Sequence, residues 1–146
     1  MAVDRLVAEF SNRPKGPAWL GELRDAGLAR FSELGFPSTR HEDWRFTNVK
    51  PLTELPFQLD VDNVANGLNG GLFTELDGPQ LVFVNGRFSK DLSVVGNLPA
   101  GVVVGSVAET LANDDSTIQD FLSRQVRNGN DAFMALNTAF FADGVL

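Results

Sequence analysis

No cysteine occurs among the 146 residues, and the one histidine is His41. The first absence excludes disulfides, zinc knuckles, a thiol nucleophile and any cysteine-ligated cluster held by this chain alone. The second excludes a histidine-rich metal site. Positive charge is scarce as well: 12 Lys and Arg stand against 19 Asp and Glu, a net charge of −7. Nucleic acid and anionic membrane both require a clustered basic surface, so neither is an expected partner. No apolar run approaches the ~18 residues of a membrane span, and Met1-Ala2-Val3-Asp4-Arg5 lacks the basic-then-apolar layout of a signal peptide. The expected location is the cytoplasm. What the chain does have is 43% hydrophobic residues with 12 Phe, enough for the core of one globular domain.

Helical periodicity opens the chain. Val3, Leu6, Val7 and Phe10 fall at i, i+3, i+4 and i+7 on one face of a short helix, which the stretch from Ser11 to Gly16 breaks. Pro17 suits a first helical turn, and Leu20, Leu23, Gly27, Phe31 and Leu34 follow at three- and four-residue steps, predicting a second helix over 17–34. Gly35 followed by Phe36-Pro37 stops it. Residues 1–35 therefore read as a helical hairpin. Pro51 and Pro56 punctuate the next segment, and residues 66–71 are turn-rich with little pattern.

The period then changes. Gln80-Leu81-Val82-Phe83-Val84 is a β-branched and aromatic run, and Asn85-Gly86 is the preferred pair for a type I′ hairpin returning through Arg87-Phe88. Val94-Val95 and Val102-Val103-Val104 add strand material, so residues 80–105 predict a small, mostly antiparallel sheet. Helices return over 106–142. Ser106 with Glu109, and Ser116 with Gln119, have capping-box spacing. Ile118, Phe121, Leu122, Gln125 and Val126 give one mainly apolar face; a last helix, capped by Asn130 or Asp131, buries Phe133, Leu136, Phe140 and Phe141. Asp143-Gly144 signals a turn and Val145-Leu146 the opening of a strand, from which the expectation is a piece of a longer protein. The fold class is α+β, several helices packed on a small sheet.

The most informative stretch is Gly35-Phe36-Pro37-Ser38-Thr39-Arg40-His41-Glu42-Asp43-Trp44-Arg45-Phe46-Thr47-Asn48, which sets His41 and one of two Trp among charges. A Gly-x-Pro turn leading into a basic-His-acidic-acidic-Trp-basic-aromatic-Thr run resembles the hallmark of the SufB/SufD family of iron–sulfur cluster assembly proteins, and more closely its SufD branch. The block from Leu81 to Phe88 is similar to a second signature of that family. Ala135-Leu136-Asn137-Thr138-Ala139-Phe140 with Asp143-Gly144 resembles the junction into its central domain. One departure is Phe46, where the family commonly has Tyr; it removes a hydroxyl from that position.

The resemblance implies an amino-terminal domain, residues 36–56 being the hallmark segment and 143–146 the start of a parallel β-helix core absent from this sequence. It implies a non-enzymatic scaffold that pairs a SufB-like with a SufD-like subunit, engages a SufC-like ATPase and builds the cluster near the subunit interface. The family's cluster-related positions lie outside this sequence, so no cluster ligand transfers to it and no cofactor is expected in this chain.

Residue chemistry leaves rival readings of the hallmark. His41, Glu42 and Asp43 are ligand and proton-carrier types, which suggests a small metal-dependent hydrolase. Three adjacent residues do not face one point on a helix or strand, however. Alternatively Glu42 and Asp43 cap a helical turn and Trp44 is a packing anchor. In a third reading Arg40, His41, Glu42, Asp43, Trp44 and Arg45 dock a partner or another domain, since Trp and Arg are enriched in interface hot spots. A stand-alone adaptor is a further alternative. The glycines at 96, 101 and 105 match neither a Walker loop nor a dinucleotide fingerprint. Asp114-Asp115 suit helix capping, Asp60 and Asp62 a solvated face, and with one His and no Gly-x-Ser-x-Gly elbow no Ser/His/Asp triad can form.

Overall fold

In a computed structural model, the structure describes residues 2–13, 15–56, 77–113, 116–126 and 131–146. Among these are six α-helices and one two-stranded antiparallel sheet, an α+β fold. The helices are α1 (Ala2–Glu9), α2 (Ala18–Leu34), α3 (Lys50–Glu54), α4 (Val107–Ala112), α5 (Ser116–Val126) and α6 (Ala132–Phe140); the strands are β1 (Phe83–Val84) and β2 (Arg87–Phe88). The turn-rich patch 66–71, the Asp60/Asp62 and Asp114-Asp115 pairs, Asn130 and the side chain of Ser116 lie outside the described residues.

The chain forms two compact units, one from residues 1–59 and 115–141, the other from 60–114 and 142–146. The first is helical and is organised by α2 against α6. Phe31 is fully buried beside Ala132 and Ala135, with Val3, Leu6, Leu34, Phe36 and Leu136 packed around them. Of the residues expected on the buried side of α6, Phe133, Leu136, Phe140 and Phe141 are only half-buried, whereas Ala132, Ala135, Thr138 and Ala139 form the innermost face. Close backbone approach explains the difference. A Cβ on Gly27 of α2 would stand 2.9 Å from the Ala139 nitrogen and 3.0 Å from the Ala135 carbonyl oxygen, so only small residues fit opposite it. Asp131 caps α6, its carboxylate accepting the Met134 N–H at 2.8 Å. On α5, Ile118 is buried but Phe121 is exposed, contrary to its expected place on the apolar face.

The second unit is held by turns and by one carboxylate. Asn85 and Gly86 both take positive φ, 50° and 76°, as a type I′ turn requires, and put Phe83 opposite Phe88. Strand content is smaller than the β-branched runs predict. Val94 makes a single bridge, to Gln80, and Val102 to Val104 form no strand. Instead Gly105 and Leu146 exchange N–H···O bonds of 3.2 and 2.9 Å beside a Ser106–Val145 bridge. Asp143 gathers these pieces. Its carboxylate accepts from Phe88 N (2.7 Å), Ala108 N (3.0 Å), Gly144 N (2.8 Å) and the Ser106 hydroxyl (2.7 Å). The same Ser106 hydroxyl oxygen accepts Glu109 N at 3.1 Å, the capping bond expected for α4.

Two outcomes follow. Gly27→Ala gains up to ~1 kcal/mol of helix propensity but overpacks unyielding backbone at a cost of about 1–3 kcal/mol, so urea unfolding should show net destabilisation; an unchanged or raised midpoint would contradict the close-approach account. Burial pushes the Asp143 carboxyl pKa up, but the bonds from Ala108, Phe88, Ser106 and Gly144 outweigh it and hold the pKa below the ordinary value. A depressed carboxylate contributes stability that is complete above its unfolded pKa of about 3.9 and is lost as pH falls through the native value. Amide NMR signals of Phe88 and Ala108 should therefore lose their native shifts on acidification below roughly pH 4, and Asp143→Asn should abolish that acid dependence while lowering stability at neutral pH.

Candidate functional site

The hallmark segment follows the end of α2, where the Gly35 N–H bonds the Phe31 carbonyl at 2.7 Å. A chain of tight turns then carries it. His41 N bonds Ser38 O (2.9 Å), Trp44 N bonds His41 O (3.0 Å), Arg45 N bonds Glu42 O (3.2 Å) and Thr47 N bonds Trp44 O (3.0 Å). Glu42, Asp43 and Trp44 form a single 3₁₀ turn. A turn this short presents successive side chains in different directions.

The six candidate residues are accordingly not gathered at one point. Arg40, His41, Glu42, Asp43 and Arg45 are exposed, and Trp44 is half-buried. The His41 ring folds back on its own turn: Nδ1 lies 3.0 Å from the Ser38 backbone nitrogen, 3.1 Å from the Ser38 carbonyl oxygen and 3.3 Å from the Ser38 hydroxyl. Glu42 and Asp43 lie in the first turn of the 3₁₀ segment, where backbone N–H groups favour negative charge, but neither makes a side-chain capping bond. Among the described residues no three His, Asp or Glu side chains are assembled to hold a metal ion. The geometry does not favour a hydrolase built on His41, Glu42 and Asp43.

Trp44 faces the helical core. Its ring centroid lies 5.1 Å from that of Phe133 on α6, Phe133 lies 6.0 Å from Phe36, and Phe36 meets the buried Phe31 edge-on at 5.2 Å. This row of rings ties the hallmark to the centre of its unit, each pair being worth roughly 0.5–1.5 kcal/mol beyond area burial. Phe46, two residues on, does the reverse. It is 93% exposed, and its only described ring neighbour is the Arg45 guanidinium, 5.5 Å from the ring centroid. A large apolar ring is thus held in water on a hydrogen-bonded turn. Residue chemistry alone drew attention to Trp44 and left Phe46 aside; the signal was that Phe46 has no periodic apolar partner, with Arg45 before it and Thr47-Asn48 after.

Residues 13–146 match the SufBD protein N-terminal region. The chain is similar to an iron–sulfur cluster assembly SufBD family protein of Synechocystis, with 29% identity across 84% of this chain and 27% of the relative. It is also similar to the iron–sulfur cluster assembly protein SufD of Escherichia coli, with 30% identity across 60% of this chain and 19% of the relative. The chain thus spans about a quarter or less of the curated relatives it matches. No solved structure matches it. Among the described residues no helix is long and apolar enough to cross a membrane.

The two aromatic residues predict opposite behaviour. Trp44→Ala should destabilise the helical unit by about 2–3 kcal/mol, somewhat below the range for fully buried Trp, whereas Phe46→Ala should change stability by no more than about 0.5 kcal/mol. Urea titrations of both variants check this; equal losses would contradict the division between anchor and exposed ring.

Proposed function

The chain belongs to the SufBD family, and from that premise we propose that it acts in iron–sulfur cluster assembly as the non-catalytic N-terminal region of a SufD-like scaffold. It works in the cytoplasm and contributes to complex assembly, through the full-length protein, with a SufB-like subunit and a SufC-like ATPase. The cluster belongs to the assembled complex and is not ligated by this chain. The names of both relatives, which are assembly proteins, support this reading.

The observation that carries the docking role is the hallmark's two-sided construction. Trp44 fastens the segment to Phe133 while Phe46 and the charges of Arg40, Glu42, Asp43 and Arg45 stand in solvent. Docking then buries the Phe46 ring at the centre of the contact and leaves the charges at its rim, the usual arrangement of an apolar anchor within polar surroundings. A rigid turn loses little conformational entropy when it binds.

Co-purification of the full-length protein with its SufB-like and SufC-like partners tests this. Phe46→Ala together with Arg45→Ala should lower recovery of a partner about tenfold or more, corresponding to ~1.4 kcal/mol, with the melting temperature of the free chain unchanged. Full recovery of both partners would overturn the docking role and leave family membership intact. A divalent-metal-dependent hydrolytic activity that disappears in His41→Ala would overturn the non-catalytic reading.

A further inference from the structure

In the second unit the turn at Gly101, with φ 82°, releases a run of three β-branched residues, Val102-Val103-Val104, that leads to the α4 cap Ser106. Val103 is 73% exposed and Val102 48%. The run has the composition of a strand, and adjacent apolar side chains in water are the usual sign of an interaction surface. Its backbone is open as well. Val102 N bonds the Pro99 carbonyl at 3.1 Å, but among the described residues the N–H and C=O groups of Val103 and Val104 make no hydrogen bond.

Directly beside this run a ladder has begun. Val107 N bonds the Gly144 carbonyl at 3.0 Å, Ser106 faces Val145, and Gly105 and Leu146 exchange both their bonds. In an antiparallel pair, residues that exchange bonds alternate with residues that do not. Gly105 is of the first kind and Val104 of the second, so in an extended run Val103 is again of the first. Its N–H and C=O are the groups to which the ladder's next two bonds belong. Each step back from Gly105 is matched by one step forward from Leu146: Val104 pairs with the first residue after Leu146, Val103 with the second and Val102 with the third. Side chains alternate along a strand, so Val103 shares a face with the exposed Leu146.

We propose that residues 102–104 are an interaction edge whose occupant is the polypeptide that follows Leu146 in the full-length scaffold, added as an antiparallel strand in the register of Gly105 and Leu146. This rests on the reading of the chain as the N-terminal region of a longer protein; it spans 27% and 19% of its two relatives. The 146 residues supply no pleated surface to the valines, and the added strand does. It closes an edge otherwise open to foreign strands and gives the following segment a fixed start on this unit. The direction also differs from the one the family resemblance implies, since the first strand beyond Leu146 runs antiparallel to its neighbour.

Two measurements on the full-length protein test the pairing. Val103 and Val104 each follow a valine, so their intrinsic amide exchange rates match; in residue-resolved hydrogen exchange the Val103 amide should be slower than that of Val104 by about tenfold or more. Paired cysteines report direction and register, because bridged Cα atoms lie within about 4.4–6.8 Å. On oxidation Val104→Cys should cross-link, within one chain, to a cysteine replacing the first residue after Leu146, and about fivefold less or lower to one replacing the second, whose side chain takes the opposite face. Matching exchange at the two amides would overturn the proposal, as would cross-linking between two copies, a preference for the off-register cysteine, or protection of Val103 only when a SufB-like partner is added. Exchange is read on the unsubstituted protein, so a cysteine variant that fails to fold leaves the test intact. Co-purification of the partners is scored separately: its failure with the pairing present overturns the scaffold reading alone, and its success with the pairing absent overturns this proposal alone.

Discussion

The closeness of α2 and α6 at Gly27 is the constraint on which the helical unit depends. With the Ala139 nitrogen 2.9 Å and the Ala135 carbonyl oxygen 3.0 Å from a would-be Cβ, the two helices interlock through the small residues Ala135, Thr138 and Ala139, and the larger rings are displaced to the flanks of the contact. One consequence is the position of Phe133, half-buried and able to receive Trp44. Another is the tie from Arg24 to the Phe141 carbonyl just beyond α6. Close-packed interiors transmit such local constraints because they deform little.

The division of labour within the hallmark has a plain physical basis. A 3₁₀ turn cannot direct consecutive side chains to one point, so His41, Glu42 and Asp43 do not assemble a reaction centre even though their chemistry would suit one. What the turn does well is hold neighbouring residues in opposing environments. Trp44 supplies packing, Phe46 supplies exposed apolar area, and the backbone bonds from Ser38 to Thr47 keep the two apart. The proposed docking role draws on this arrangement, since recognition requires a fixed anchor and no convergence of titratable groups.

Local signals in the sequence are legible where the interaction is itself local. Asn85-Gly86 dictates its turn because both φ values are set by those two residues, and the ends of α2 are given by Pro17 and Gly35. The runs at Val94 and Val102 misled because β-propensity reports a fit to a half-buried pleated surface, and that surface never forms around them. Asp143 was legible as a turn residue but not as a hub, since its partners lie 55, 37 and 35 positions away. Phe46 and Arg24 are complementary cases: an apolar residue in water and a charge in the core. Arg24 falls four residues after Leu20 and seven before Phe31, on the buried stripe of α2, so a charged residue at a core position was the available clue. Family resemblance, by contrast, is carried by short motifs, the hallmark the most specific of the three, because motif identity does not depend on knowing which way each side chain points.

Both units are discontinuous in sequence: the first takes its α6 from residues near 140, and the second takes Asp143 from almost the same place. Synthesis proceeds at roughly 5–20 residues per second. For several seconds on the ribosome, therefore, α2 has no α6 to shield Phe31, and the hairpin around Asn85-Gly86 has no carboxylate to close it. Sequence-distant contacts of this kind also slow folding once the chain is complete. The short stretch from Asp131 to Leu146 is the latch of both units, and a nascent chain stalled before it would expose the apolar surface that aggregation exploits.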